Sequence, residues 1–223
     1  MTTFWDKVRA KEVALQRYLR SNASVLEWFA VAVHRVVRAD GMLLITCFAL
    51  FSGYWSWALK ALICMCFGEV FNGTIKAITR EPRPIWREDI APSPLPNTRR
   101  TWENDYSFPS SHAQVTVCFA ICFSYLVPDK PVLWISCYIL AVAAGLSRGY
   151  LGQHYFHDVI AGWIFEICFM SILWPNLDRL IHASTPVSVI IFLCLFFSSL
   201  VLELAVLVNI LVLNLFIHNK FMF

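Results

Sequence analysis

Long apolar stretches limit what this chain can fold into. Residues 41–59 carry no charged side chain, and their length is close to the roughly 20 residues that a helix needs to cross a bilayer. Of the 223 residues, 58% are hydrophobic and 15% are charged, which is not the composition of a soluble globule. The sequence therefore predicts an integral membrane protein with an all-α fold, a polytopic transmembrane helical bundle.

The apolar stretches predict five to six spans. The last of them, residues 186–217, is too long for one ordinary span and is either one long tilted helix or a span followed by a second short one. The predicted spans are residues 41–59, 61–78, 110–127, 132–147, about 158–174, and 186–217.

The first 40 residues are more polar than the rest. Residues 1–22 are predicted to form a polar helix, and residues 24–38 mix apolar side chains with charged ones, which favours an interfacial amphipathic helix over a span. We therefore divide the chain into a polar or amphipathic N-terminal leader, residues 1–40, and a transmembrane domain, residues 41–218.

Charge and cysteine patterns exclude two classes of function. The formal net charge of +3 is too small for a nucleic-acid-binding protein, and the basic residues do not follow one helical face. The eight cysteines lie mostly inside apolar runs and have no zinc-type spacing. We expect no nucleic-acid partner, and we expect these thiols to pack as small hydrophobic groups.

Residues 79–109 are predicted to form a long loop beside the membrane. Proline cannot continue a helix, and an irregular backbone would leave polar groups unsatisfied in lipid. A loop of this length is typically functional or disordered. Its prolines are Pro82, Pro84, Pro92, Pro94, Pro96 and Pro109.

The order of the spans brings distant polar residues together. Residues 110–147 form two spans joined by a short connection, so the chain returns to the side that it left. The loop that carries Arg83 therefore lies on the same membrane face as Arg148 and His154. Which side of the membrane this face occupies is left open by the charge distribution.

One polar stretch between two apolar ones carries a potential reactive group. Residues 147–158 read SRGYLGQHYFHD. On a continuing helix His154 and Asp158 share a face, so we expect the aspartate to accept the imidazole N–H and fix its tautomer. His157 is predicted to face elsewhere. The simpler alternative is a boundary loop in which Arg148 pairs with Asp158.

Three cations and two histidines on one face suit a phosphoryl group. Lys76, Arg83 and Arg148 can bind a dianion together with the N–H groups of a helix that begins at Ser110. One histidine can attack phosphorus while the other protonates the leaving oxygen. Taken alone, Lys76 could be a snorkelling anchor and residues 109–112 only a helix start.

These residues resemble the three-part signature of the type 2 phosphatidic acid phosphatase (PAP2) superfamily, in its membrane-bound lipid phosphate phosphatase-like branch. The resemblance covers roughly residues 41–174. Serine at position 111 departs from the glycine that is commonest there, which bears on how closely the backbone N–H approaches phosphate. The matching parts are Lys76 with Arg83-Pro84, then Pro109-Ser110-Ser111-His112, and then Ser147-Arg148 with His154 and Asp158.

The resemblance implies a role for each matching residue. His154 attacks phosphorus and forms a phosphohistidine, oriented by Asp158, while His112 acts first as the acid for the leaving group and then as the base for water. The phosphate is bound by Lys76, Arg83, Ser110, Ser111 and Arg148. No cofactor and no metal are implied, because the cations supply the charge that magnesium would otherwise bring.

The position of the site at the membrane boundary favours a lipid phosphate substrate, which could reach the site sideways from the bilayer. The loop between residues 86 and 105 is expected to contact the head group. Phosphatidate, lysophosphatidate, sphingoid phosphate and polyprenyl mono- or diphosphate stay open. The alternatives are a soluble sugar-phosphate phosphatase, a lipid phosphotransferase and a non-catalytic membrane scaffold or transporter.

Overall fold

The computed structural model describes residues 4–23, 25–37, 39–86 and 105–182. All regular elements in these ranges are helical. The predicted stretch at residues 186–217 and most of the loop around Trp102 lie outside the described residues. The helices are α1 (Phe4–Asn22), α2 (Val25–Val36), α3 (Ala39–Phe51), α4 (Trp55–Thr79), α5 (Ser111–Leu126), α6 (Pro131–Tyr150) and α7 (Phe156–His182), with a 3-10 turn at Pro84–Trp86.

Local sequence explains where the central helices begin and end. Ser110 is the N-cap of α5, and its side chain accepts a hydrogen bond from the Ala113 backbone N–H at 3.4 Å. Pro131 begins α6, at a position where its missing N–H costs nothing. Arg80 takes the left-handed conformation after α4, with φ of 48°, and ends that helix before the loop.

Three described helices are long and apolar enough to cross a membrane: α4 with the turn that follows it, α6 and α7. Helix α5 is apolar but has 16 residues, which is about 24 Å against a hydrocarbon core of roughly 30 Å. The all-α membrane fold is therefore confirmed in its class. The count of five to six spans stays a prediction.

The prediction of one continuous span at residues 41–59 is wrong. Helix α3 ends at Phe51 and α4 begins at Trp55. Gly53 between them has φ of +91°, a conformation that breaks a right-handed helix and that glycine adopts most readily. The apolar run therefore turns, and its second part lengthens α4.

Helix α5 lies at the centre of the bundle, in contact with α3, α4, α6 and α7. The main core cluster takes Cys118 and Cys122 from α5, Cys64 from α4 and Met170 from α7. The prediction that the thiols pack as small hydrophobic groups is confirmed for these three cysteines, whereas Cys66 and Cys168 are exposed on the helix surfaces. Because α5 contacts these four helices, its position in the bundle is fixed. Its N-cap, Ser110, donates a backbone hydrogen bond to the Asp158 carbonyl near the start of α7.

Helix α1 packs on the polar stretch at residues 147–158. The buried side chain of Gln16 donates from Nε2 to the His154 carbonyl at 2.9 Å, and Arg20 Nε donates to the Tyr150 carbonyl at 2.9 Å. Val13 packs against Tyr155. The polar leader predicted from composition therefore supports the backbone around His154.

We expect Gly145→Ala to destabilise the bundle. A Cβ at Gly145 would lie 2.5 Å from Trp163 Cζ2 and 2.7 Å from Val159 Cγ1, so α6 and α7 would have to separate. The expected loss is about 1–3 kcal/mol in the free energy of unfolding, measured by denaturant unfolding in detergent. Gly41→Ala is the control, because a Cβ there meets nothing within 4 Å. An equal loss in both variants would contradict the close packing of α6 on α7.

Candidate active site

His154 lies fully buried between the end of α6 and the start of α7. Its Nδ1 is 2.7 Å from the Ser107 carbonyl oxygen, and its Nε2 is 3.0 Å from Arg83 Nη1. A carbonyl only accepts and a guanidinium only donates, so Nδ1 carries the proton and the lone pair of Nε2 points toward Arg83. The geometry describes a neutral imidazole with a fixed tautomer.

Burial and neighbouring cations both favour the neutral form of His154. Desolvation lowers its pKa well below the ordinary value of 6.5, and the positive charges of Arg83, Arg148 and Lys76 act in the same direction. An imidazole that is neutral at pH 7 keeps an available lone pair, which a nucleophile requires.

Asp158 is held close to His154 without a direct hydrogen bond. The distance from His154 Nδ1 to Asp158 Oδ2 is 3.7 Å, and the Ser107 carbonyl takes the N–H instead. The predicted contact failed because α7 begins at Phe156, so His154 precedes the helix and the helical i, i+4 spacing does not apply.

Ser107 connects His154 to Asp158, and its role was missed in the sequence. Its hydroxyl donates to Asp158 Oδ2 at 2.5 Å, while its carbonyl accepts from His154. The Tyr155 backbone N–H also donates to Asp158 Oδ2, at 2.9 Å. The prediction that His157 faces elsewhere was wrong, because its Nε2 is 3.2 Å from Asp158 Oδ1.

Lys76 and Arg83 meet at the carboxylate of Asp105, a second residue that sequence reasoning missed. Lys76 Nζ pairs with Asp105 Oδ2, and Arg83 Nη2 pairs with Asp105 Oδ1. Arg83 Nε also donates to the Asp105 backbone carbonyl at 2.8 Å. The predicted proximity of these two cations is observed, and an anion already joins them.

Arg148 approaches His112 through His34 of α2. The Arg148 side chain is buried, and its Nη1 donates to His34 Nδ1 at 3.2 Å. The rings of His34 and His112 are 5.5 Å apart between centroids. Composition placed His34 in an interfacial helix, and only the packing of α2 against α6 shows that it borders the site.

The start of α5 completes this region. Ser110 is fully buried, and its backbone N–H donates to the Asp158 carbonyl at 3.1 Å. Ser111 and His112 follow in the first turn, where backbone N–H groups favour an anion. Asn72 Nδ2 contacts the Pro109 carbonyl oxygen at 3.3 Å and donates to Gln114 Oε1 at 2.9 Å. These contacts connect α4 to the residue before the N-cap of α5 and to the first turns of that helix.

The positive charge of the site comes from its own side chains. In the part of the chain that the structure describes, no three His, Cys, Asp or Glu side chains are grouped so that they could hold a metal ion. Lys76, Arg83 and Arg148 instead provide donors for an anion. Together with the neutral His154, they define the class: a helical membrane protein with buried cations beside a buried histidine.

Within that class, the chain belongs to the PAP2 superfamily, whose profile matches residues 57–181. The predicted resemblance is confirmed. The fold is similar to the crystal structure of a transmembrane PAP2-type phosphatidylglycerolphosphate phosphatase from Bacillus subtilis, with a TM-score of 0.62 and 20% sequence identity over 80% of this chain and 90% of that one.

Curated relatives match parts of the chain. Sphingosine-1-phosphate phosphatase 1 of Mus musculus is 29% identical over 144 residues, which cover 59% of this chain and 32% of that protein. Undecaprenyl-diphosphatase of Sulfolobus acidocaldarius is 40% identical over 70 residues, covering 30% of this chain and 33% of that protein. Phosphatidylglycerophosphatase B of Bacillus subtilis is 31% identical over 86 residues, covering 35% and 41%. The matches thus span about a third of the length of the first two relatives.

We expect His154 to make the unfolding free energy increase with pH between about pH 5 and 7. Its pKa is lowered in the folded protein, so the unfolded chain binds more protons in this window and raising the pH favours the folded state. In His154→Asn the slope should fall by at most about 1.4 kcal/mol per pH unit. Denaturant unfolding in detergent at fixed pH values measures it. An unchanged slope would show that His154 titrates alike in both states.

Proposed function

We propose that this protein is an integral-membrane phosphatase that hydrolyses a phosphomonoester or diphosphate of a lipid through a phosphohistidine on His154. One observation carries the proposal: His154 Nε2 faces Arg83 while its Nδ1–H is fixed by the Ser107 carbonyl. A neutral imidazole beside cations is suited to attack a phosphate that those cations bind.

In the first half-reaction His154 Nε2 attacks phosphorus. A bond forms between Nε2 and phosphorus as the bond from phosphorus to the leaving oxygen breaks, and His112 donates a proton to that oxygen. The ring of His154 gains positive charge. The Ser107 carbonyl and the carboxylate of Asp158, 3.7 Å from Nδ1, stabilise this charge without accepting the proton.

In the second half-reaction water hydrolyses the phosphohistidine. His112, now neutral, takes a proton from the water as its oxygen attacks phosphorus, and His154 leaves as a neutral imidazole. Inorganic phosphate is released and both histidines return to their starting protonation states. Transfer to a lipid hydroxyl would follow the same path with an alcohol in place of water.

The phosphate oxygens would be bound by Lys76, Arg83 and Arg148 and by N–H groups around Ser110 and Ser111. Buried cations near developing negative charge stabilise the transition state strongly, because little water screens them. Arg83, which contacts Nε2, is placed to move its Nη1 donor to a phosphate oxygen when the histidine attacks.

A lipid substrate is supported by the surroundings of the site and by the relatives. Three of the described helices are long and apolar enough to cross a membrane, so a lipid could remain in the bilayer while its phosphate reaches the site. The relatives are named as phosphatases of sphingosine-1-phosphate, undecaprenyl diphosphate and phosphatidylglycerophosphate. All three named substrates are lipids that carry phosphate.

A phosphate-release assay on the purified protein in mixed micelles tests the proposal. We expect release from a panel of sphingoid phosphate, phosphatidate and polyprenyl mono- or diphosphate in the presence of EDTA, and inhibition by vanadate. His154→Ala should lower the rate at least about a thousandfold. An undiminished rate in that variant, or loss of wild-type activity with EDTA, would overturn the mechanism. Release from glucose 6-phosphate alone would overturn the lipid assignment.

We expect Ser107→Ala to lower kcat about tenfold with little change in KM. The variant keeps the carbonyl that holds His154 but removes the hydroxyl that donates to Asp158, which costs roughly 1.4 kcal/mol of transition-state positioning. Ser107→Thr retains a hydroxyl and should restore most of the rate. Equal kcat in the Ala variant and the wild type would contradict a positioning role for this hydroxyl.

A further inference from the structure

Asp105 occupies the donors that a substrate phosphate would need. Its two carboxylate oxygens pair with Lys76 and Arg83, one with each. A carboxylate and a phosphate present oxygens to guanidinium and ammonium groups in similar ways. We call Lys76, Arg83 and Arg148 the cation cluster. The carboxylate of Asp105 is an anion of the protein itself that binds two members of this cluster, Lys76 and Arg83.

The burial of these groups places the carboxylate on the accessible side. The side chains of Lys76 and Arg83 are 7% and 0% exposed, whereas that of Asp105 is 44% exposed. Of the three paired side chains, the carboxylate is therefore the one most open to solvent. An anion that approaches them from the open side meets Asp105 first.

Every guanidinium nitrogen of Arg83 already has a partner. Nε donates to the Asp105 backbone carbonyl, Nη1 to the Gln153 carbonyl and His154 Nε2, and Nη2 to the Asp105 carboxylate. A phosphate must therefore replace one of these acceptors. His154 Nε2 is released from Nη1 when the histidine attacks. Of the remaining acceptors, the exposed carboxylate is the one that can move to solvent, because the others are backbone carbonyl groups.

The pairing with Lys76 and Arg83 favours the ionised form of Asp105. Burial acts to raise the pKa of Asp105, but the charges of Lys76 and Arg83 and their hydrogen bonds lower it below the ordinary value of 3.8. Loss of Asp105 would raise the net charge of the site by one.

We propose that Asp105 is a specificity-determining residue that competes with substrate phosphate for Lys76 and Arg83. Its negative charge thereby lowers the affinity of the site for anions, and lowers it more for a diphosphate than for a less charged phosphomonoester. This inference rests on the proposed function, since it concerns the same phosphate site. Asp105 keeps the buried cations paired until a phosphate exchanges with it.

Equilibrium binding of inorganic phosphate, measured by calorimetry on the purified protein, tests the competition without turnover. Asp105→Asn keeps the size and the backbone carbonyl but removes the charge, and Asp105→Glu keeps the charge as the matched control. We expect the Kd for phosphate to fall about fivefold in the Asn variant and to stay within about twofold in the Glu variant. The ratio of kcat/KM for a polyprenyl diphosphate over the monophosphate should rise at least about twofold.

Each result decides the proposal. An unchanged or higher Kd in Asp105→Asn would overturn it, because a carboxylate that only positions Lys76 and Arg83 would weaken phosphate binding when removed. Wild-type protein that neither binds phosphate nor releases it would overturn the proposed function and this inference together. If the Asn variant does not fold, Asp105→Ser removes the same charge and is measured in the same way, with thermal unfolding in detergent as the check on folding.

Discussion

The buried arginine side chains need hydrogen-bond acceptors and opposite charges, and the site depends on this requirement. Arg83 and Arg148 are 0% and 1% exposed, and removal of such a charge from water costs several kcal/mol unless hydrogen bonds and opposite charges replace the water. Arg83 gains its partners from Gln153 and from Asp105. These contacts tie the chain before α5 to the chain before α7, so the groups that stabilise the charge also position His154.

Much of the topology could be predicted from the sequence, whereas the local contacts could not. The hairpin of two apolar stretches correctly brought Arg83 and His154 together, because span order is set by hydrophobic length. The predicted hydrogen bond between His154 and Asp158 was wrong for a local reason, because α7 begins at Phe156 and His154 precedes it. The i, i+4 spacing predicts a side-chain contact only when both residues lie inside the helix. Sequence alone locates the first residue of a helix only to within one or two positions.

The residues that sequence reasoning missed have a common cause. Ser107 acts through its carbonyl oxygen as well as its hydroxyl, and a carbonyl is present in every residue. His34 and Gln16 lie more than a hundred residues from their partners in the chain, so no local pattern marks them. Only the packing of α1 and α2 on the other helices shows that the polar leader borders the site.

The relative positions of the two histidines follow from close contact between α5 and α7. A Cβ at Gly162 of α7 would lie 2.7 Å from the Ser110 carbonyl oxygen, so only glycine permits this approach. The Ser110 N–H in turn donates to the Asp158 carbonyl, which binds the two helix starts to each other. His112 lies in the first turn of α5 and His154 just before α7. The packing of these two helix starts therefore limits how far the two histidines can move apart.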